Sequence, residues 1–151
     1  MLQLNSLLNR QTDVPVTTET QVSPSPSFFA MKSRRSKNVL IVEDEQESRE
    51  FLTEILEFEG FQVAAASNGA EAWEYLHGSH QPCMIVLDMM MPVMDGRQFR
   101  KLQLKDEELA KIPTVVVSAL SSAATADLAA LKAFRKPVDI QALLQVLRAN
   151  C

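Results

Sequence analysis

The sequence predicts an α/β fold in which a doubly wound parallel sheet of five strands has helices on both faces. Short runs of consecutive apolar residues, such as those at 39–42, 83–87 and 114–117, recur between segments of helical periodicity. Because such a run cannot alternate between core and water, each indicates a strand buried on both faces, as in parallel sheets. Strands that alternate with helices connect by right-handed crossovers, and the doubly wound arrangement is the simplest result.

Five strands and five helices are predicted along the chain. Apolar residues spaced three and four apart indicate the helices, of which the first has Phe51, Leu52, Ile55 and Leu56 on one face and ends at Gly60. The predicted strands are 39–42, 61–66, 83–87, 114–117 and 133–135, and the predicted helices run over 46–59, from Gly69 to near Gly78, from Asp95 through Leu102, over 121–131 and over 138–149. Five strands suit the flavodoxin-like order 2-1-3-4-5.

Residues 1–36 differ in composition from the rest of the chain. They are rich in Ser, Thr and Pro, and their apolar residues follow no period. We therefore expect a disordered tail, with Met31 as an alternative translation start, before one domain at 37–151. No apolar run approaches the ~20 residues that span a bilayer, and the amino terminus does not resemble a secretory signal. Membrane insertion is not expected.

Charge and cysteine content limit the partners and the compartment. Residues 1–36 carry four basic and two acidic residues, a net of +2 within the formal −4, which leaves −6 for the remainder. An acidic domain binds nucleic acid poorly, so no nucleic-acid partner is expected. Cys83 lies in a predicted buried run and Cys151 is the last residue. We therefore expect no structural disulfide and a reducing, cytoplasmic location.

Polar residues that can support phosphoryl chemistry follow four of the predicted strands. Glu43 and Asp44 end the first strand, Asp88 ends the third, Ser118 the fourth, and Lys136 follows the fifth. In the predicted strand order these positions share one edge of the sheet, where open α/β sheets bind ligands. Three adjacent carboxylates repel unless a cation neutralises them, and Mg²⁺ suits a site with few protein ligands. The set favours phosphoryl transfer to a carboxylate.

Each of these residues alone has an ordinary structural explanation. Asp88 could cap the following turn, Ser118 could cap the next helix, Lys136 could be a surface lysine, and Glu43-Asp44 could be a solvated turn. Their coincidence at the same end of four parallel strands favours the functional reading.

The ordered motifs resemble the receiver domain of two-component response regulators. The matching residues are Glu43-Asp44 after VLIV, Asp88 before MMMPVMDG, Ser118-Ala119 after TVVV, and Lys136-Pro137. The resemblance covers residues 38–149. It implies that Asp88 accepts a phosphoryl group from a histidine kinase or a histidine phosphotransfer protein, and that the domain then signals to a downstream protein target.

The resemblance also implies roles for the surrounding residues. Mg²⁺ would be bound by Asp44, Asp88 and the backbone carbonyl of Met90, with Glu43 in contact through a water. Ser118 would hydrogen-bond the phosphoryl group and Lys136 would pair with it. The family has a cis peptide before the proline equivalent to Pro137. Such a domain is not an enzyme beyond its own phosphorylation and slow dephosphorylation.

The chain departs from the family pattern in three respects. The aromatic residue expected three positions before the lysine is Ala133, and Phe134 follows where an aliphatic residue is usual. The interval from Ser118 to Lys136 is about one helical turn shorter than in the family. Only Asn150 and Cys151 follow the last helix, so we expect a stand-alone domain. Because the first two departures affect the usual output position, phosphorylation is better supported than the usual output.

Two other functions compete with this interpretation. The first is a receiver-like interaction module that does not depend on phosphorylation, and the altered position at Ala133 favours it. The second is an aspartate-based phosphatase with Asp88 as nucleophile. That chemistry requires a second acid two residues further on, where this chain has Met90. The common nucleotide-binding motifs are absent from the sequence.

Overall fold

The computed structural model describes residues 37–78 and 81–151, where five parallel strands form one sheet. The strands are β1 (Asn38–Val42), β2 (Gln62–Ala66), β3 (Met84–Asp88), β4 (Thr114–Ser118) and β5 (Lys132–Arg135). They lie in the order β2-β1-β3-β4-β5. The predicted strand order and the predicted parallel sheet are confirmed. The predicted tail at 1–36 lies outside the described residues.

Within the described residues, four α-helices cover the sheet: α1 (Gln46–Phe58), α2 (Gly69–Leu76), α3 (Gly96–Lys105) and α4 (Ile140–Asn150). Side-chain caps fix the starts of three of them, because Asn68, Asp95 and Asp139 each accept a hydrogen bond from a backbone N–H in the first turn. Gly60 adopts φ +87°, a left-handed conformation that favours glycine and ends α1 as predicted. None of the helices within the described ranges is long and apolar enough to cross a membrane.

The predicted fourth helix is the main error in the secondary structure. Residues 121–131 do not form an α-helix, and only a 3-10 helix at Ser122–Leu128 is present. It ends at Ala129 in the left-handed conformation, φ +47°. A second 3-10 turn at Leu109–Lys111 precedes β4. The Ala-rich segment has little apolar surface to bury as a helix, and its backbone carbonyls bind arginine side chains of α3 instead.

The core has one layer on each face of the sheet. Leu40 and Val42 of β1 pack with residues of α2 and α3, whereas Val39 and Ile41 pack with residues of α1 and α4. This division confirms that consecutive apolar residues of a strand face opposite layers. On α1, Leu52 and Leu56 are buried, but Phe51 is 55% exposed. The apolar face predicted for α1 is therefore narrower than its sequence pattern indicated.

A disulfide joins Cys83 to Cys151, with their Cα atoms 5.5 Å apart. The expectation that no disulfide forms was wrong. β3 begins at Met84, so Cys83 lies just before the strand, at the amino edge of the sheet. α4 packs back across the same face and brings Cys151 to that edge. The pairing depends on the path of the chain through the fold and not on local sequence.

Candidate functional site

Strand pairing brings the predicted site residues to one edge of the sheet. Val42, the last residue of β1, pairs with Leu87, so that Glu43 and Asp88 leave neighbouring strands together. Asp88 pairs with Val117, and the next residue of β4 is Ser118. The carboxyl ends of β1, β3 and β4 therefore form a common site, as predicted.

Three carboxylates lie together at this edge. Glu43, Asp44 and Asp88 each offer an oxygen, and these oxygens lie within 4.8 Å of one another. Glu43 is 3% exposed and Asp88 is 4% exposed, whereas Asp44 is exposed. Burial raises the pKa of Glu43; the hydrogen bond from Lys136 opposes this, and the negative charge of Asp88 reinforces it. Such a cluster favours a bound cation.

Backbone donors fix the carboxylate of Asp88. Its Oδ1 accepts a hydrogen bond from the Met89 N–H at 2.7 Å and a longer one from the Met90 N–H at 3.4 Å. These two donors belong to the turn that follows β3. The side chain of Met90 is 62% exposed. The turn therefore holds one oxygen of Asp88 and leaves the other oriented towards Lys136.

Lys136 reaches the same carboxylates from the segment after β5. Its Nζ lies 2.8 Å from Oε2 of Glu43 and 3.4 Å from Oδ2 of Asp88. Its backbone N–H donates to the Ser118 carbonyl at 3.0 Å, which anchors the lysine beside β4. Burial alone would lower the pKa of Lys136, but the hydrogen bond to Glu43 and the negative charge of Asp88 together raise it. The ammonium therefore remains charged and offsets one of the three acids.

Ser118 is buried at the end of β4, with 1% of its surface exposed. Its hydroxyl oxygen accepts a hydrogen bond from the Leu120 N–H at 3.1 Å. The hydroxyl therefore stabilises the loop that follows the strand. The peptide bond between Lys136 and Pro137 is cis, as the family resemblance implied.

Gly96 supports the turn that follows Asp88 in a way that no sequence pattern indicated. A Cβ at this position would lie 2.3 Å from the Asp88 carbonyl oxygen and 2.8 Å from the Met89 Cα. Only glycine allows α3 to begin so close to the end of β3. The Asp95-Gly96 pair indicated a helix start, but nothing local showed that its backbone would pack under Asp88.

Two arginines of α3 hold the segment that replaces the predicted fourth helix. Arg100 is 3% exposed, and its guanidinium donates to the carbonyls of Leu128 at 2.9 Å and Ala129 at 2.8 Å. Arg97 pairs with Asp127 at 2.5 Å. Burial lowers the pKa of Arg100. These contacts, which no sequence pattern indicated, attach the segment to α3.

The predicted switch positions lie on β5. Ala133 is exposed, whereas Phe134 is 9% exposed and belongs to the core between the sheet and α4. A cavity of about 210 Å³ opens beside Ala133, lined also by Leu120, Thr125 and Arg135. The position that carries an aromatic residue in the resembled family is therefore an open depression in this protein.

The residues present fit a divalent cation. Three carboxylates and one ammonium give the site a net charge of −2 when all are ionised, and hard oxygen donors match Mg²⁺. Glu43, Asp44 and Asp88 are the side chains available to hold such an ion.

Comparison with known proteins agrees with this geometry. The family model of the response regulator receiver domain matches residues 39–148. The response regulator Rre1 of Synechocystis sp. is 39% identical over 83 residues, which are 54% of this chain and 36% of that protein. The polar-differentiation response regulator DivK of Brucella anthropi is 32% identical over 85 residues, which are 56% of this chain and 68% of that protein. The matched part is thus about one third of Rre1 and two thirds of DivK.

Solved structures show the same fold. The signal receiver domain of a signal transduction histidine kinase from Syntrophus aciditrophicus has a TM-score of 0.69 and 29% identity, covering 74% of this chain and 87% of that chain. The response regulator TrrA of Thermotoga maritima, in complex with Mg²⁺-BeF, has a TM-score of 0.66 and 26% identity, covering 76% of this chain and 98% of that chain. Receiver domains bind Mg²⁺ at an acidic pocket and act in two-component signalling. With its parallel sheet, its acidic edge and the family match over most of its length, the chain belongs to the response regulator receiver domain family.

Proposed function

We propose that Asp88 accepts a phosphoryl group from the phosphohistidine of a histidine kinase or a histidine phosphotransfer protein. One observation carries the proposal: the buried Asp88 carboxylate lies between a backbone donor at 2.7 Å and the Lys136 ammonium at 3.4 Å, beside two further acids. Glu43 is equally buried but accepts one backbone hydrogen bond, from the Glu45 N–H at 3.2 Å, whereas Asp88 accepts two from the turn that follows it. It is therefore the most precisely positioned nucleophile of the cluster.

The transfer breaks one bond and forms one. A carboxylate oxygen of Asp88 attacks phosphorus, a P–O bond forms, and the P–N bond of the phosphohistidine breaks. The imidazole keeps the electron pair and leaves as a neutral ring once its nitrogen is protonated. Because the transition state is loose and spreads charge over the phosphoryl oxygens, positioning and electrostatic stabilisation are the main tasks of the protein.

Each remaining site residue has a role in this proposal. Asp44, Asp88 and the Met90 carbonyl would bind Mg²⁺, with Glu43 in contact through a water, and the ion supplies positive charge opposite the phosphoryl oxygens. Lys136 would exchange part of its contact with Glu43 for a phosphoryl oxygen. Ser118 would donate its hydroxyl hydrogen to another.

We further propose that the protein acts as a single-domain response regulator in the cytoplasm and signals to a downstream target through protein contacts. Self-phosphorylation and slow self-dephosphorylation would be its only chemistry. The alternative, a receiver-like module that does not depend on phosphorylation, is favoured by the exposed Ala133 at the switch position. The two functions differ in whether modification of Asp88 changes binding to the target.

Phosphodonor labelling tests the proposal. With acetyl phosphate and Mg²⁺, we expect one phosphoryl group per chain, stable in acid and labile in base as an acyl phosphate is. Asp88→Asn should abolish the label. Asp106→Asn is the matched control, since Asp106 caps a turn through hydrogen bonds from the Glu108 and Leu109 N–H groups, which an asparagine oxygen can also accept. Normal labelling of Asp88→Asn would refute the assignment.

A further inference from the structure

We propose that Cys83 and Cys151 form a reversible thiol–disulfide switch that ties the carboxyl end of α4 to the amino end of β3. The bond joins residues 68 positions apart in the sequence. It closes the edge of the sheet opposite the acidic cluster. The switch would therefore add a redox input at a place separate from phosphoryl chemistry.

The two cysteines are held in place by backbone contacts that do not depend on the disulfide. The Cys83 N–H donates to the Asn38 carbonyl at 2.8 Å, and the Cys151 N–H donates to the Leu147 carbonyl at 2.8 Å. The first contact belongs to the edge of the sheet and the second to the last turn of α4. Both thiols would therefore remain near each other after reduction, so that oxidation can re-form the bond.

α4 is also secured by contacts other than the disulfide. Leu143, Leu144 and Leu147 are each buried against the sheet, and Arg148 pairs with Glu59 at the end of α1. These contacts would keep most of α4 packed when the disulfide opens. A bond that the fold does not require is suited to a switch, because both redox states can remain folded.

The disulfide is accessible to an exchange partner. Cys83 and Cys151 are only partly buried. An open cavity of about 440 Å³ adjoins the bond and is lined by Cys83, Lys111 and Asn150 among others. A small dithiol or a reductase loop can therefore approach one of the two sulfurs.

The exchange reaction requires a dithiol protein or glutathione as co-reactant. A thiolate of the reductant attacks one sulfur, forms a mixed disulfide and expels the other cysteine as a thiolate, which takes up a proton. The second thiolate of the dithiol, or the thiolate of a second glutathione molecule, then attacks the sulfur of the reductant in the mixed disulfide and releases the remaining cysteine as a thiolate, which takes up a proton. Two electrons and two protons pass to the protein, and the reductant becomes a disulfide.

The expected consequence of reduction is local. Only the last turn of α4, near Cys151, loses its covalent attachment, while the buried leucines of the helix stay in place. We expect amide exchange in this turn to become roughly tenfold faster. The melting temperature should fall by roughly 15 °C, because the disulfide no longer restricts the unfolded chain across a long loop. Exchange of β1 and β3 under native conditions should stay slow.

The test equilibrates the purified full chain in glutathione buffers that cover the ratios of the cytosol and of the secretory pathway. Alkylation of free thiols and intact mass give the oxidised fraction, and hydrogen exchange gives the mobility of α4. We expect the oxidised form to predominate in the oxidising buffers and the dithiol in the reducing ones. Cys83→Ser and Cys151→Ser should each match the reduced protein in exchange and melting, and should not respond to the buffer.

Three results would overturn the proposal. The bond could persist in the most reducing buffer, which would make it a permanent cross-link. The thiols could stay free in the most oxidising buffer. The reduced protein and both serine variants could unfold, which would make the bond a requirement of the fold. Repeating the titration with Asp88→Asn separates this inference from the proposed function, because the redox response should be unchanged in a protein that cannot be phosphorylated.

Discussion

Replacement of Lys136 by methionine should strengthen Mg²⁺ binding. The lysine ammonium lies 2.8 Å from Glu43 and 3.4 Å from Asp88, so it neutralises the same carboxylates that a metal ion would use. A bound ion and the ammonium are both positively charged, and their shared partners would bring them close together. They would therefore repel each other. Methionine retains an unbranched, mostly apolar side chain of similar length and removes the charge.

The magnitude follows from Coulomb's law. For a charge of +2 and a charge of +1 separated by about 5 Å, the repulsion in a dielectric of about 80 is roughly 1.7 kcal/mol. This value corresponds to a dissociation constant at least about tenfold lower for Lys136→Met at low ionic strength, and the difference should shrink with added salt. The variant should also be less stable without Mg²⁺, since the buried Glu43 loses its partner.

Isothermal titration with MgCl₂ measures the affinity, and melting with and without Mg²⁺ measures the coupled stability. Lys132→Met is the matched control. Lys132 lies at the amino end of β5, where its Nζ lies 5.0 Å from the centre of the Phe134 ring. The Lys132→Met substitution removes the same charge at a position away from the acids, so it should leave the Mg²⁺ affinity nearly unchanged. Equal or weaker Mg²⁺ binding by Lys136→Met, relative to wild type and this control, would refute the electrostatic reasoning.

Two further experiments probe the turn that follows Asp88 and the loop that follows β4. Gly96→Ala should lower the free energy of unfolding by roughly 3 kcal/mol and slow labelling by acetyl phosphate, because its Cβ would lie 2.3 Å from the Asp88 carbonyl oxygen. Gly60→Ala is the control, because a Cβ at this position meets open space. It should lower stability by only about 1 kcal/mol, through left-handed backbone strain, and leave labelling normal. Equal labelling rates for the two variants would contradict the role assigned to Gly96. Beryllium fluoride with Mg²⁺ should shift the amide resonance of Leu120, whose N–H donates to the buried serine hydroxyl, more than that of Ala133; the reverse order would contradict a route through this hydrogen bond.

The sheet and the location of the site could be predicted from sequence because both depend on simple regularities. Apolar runs specify strands buried on both faces, and the carboxyl ends of parallel strands lie on one edge. Glu43 and Asp88 follow such runs, so their proximity required only the strand order. No sequence pattern gave the separation of their oxygens or the position of the Lys136 ammonium.

The features that the sequence did not reveal depend on contacts between distant residues. The segment at 121–131 contains a 3-10 helix instead of an α-helix, and Arg97 and Arg100, on another element, bind its carbonyls. The Cys83–Cys151 disulfide likewise depends on where α4 ends relative to the sheet. Periodicity along α1 identified an apolar side but not its width, so Phe51 belongs to that side in the sequence pattern and is nevertheless 55% exposed.

The same contacts indicate how a signal could leave the site. The guanidinium of Arg100, which is 3% exposed, binds the carbonyls of Leu128 and Ala129, and displacing them would leave donors of this buried group unpaired at a cost of roughly 1–3 kcal/mol each. Moving the end of the 3-10 segment therefore carries a high free-energy cost. Ala133 also has no ring that could swing inward. Breaking the hydrogen bond from the Leu120 N–H to Ser118 costs less free energy than breaking those of Arg100, because its donor lies in a partly exposed loop. A phosphoryl group that draws the serine hydroxyl away would release this loop first, so the change would begin between β4 and the clamped segment.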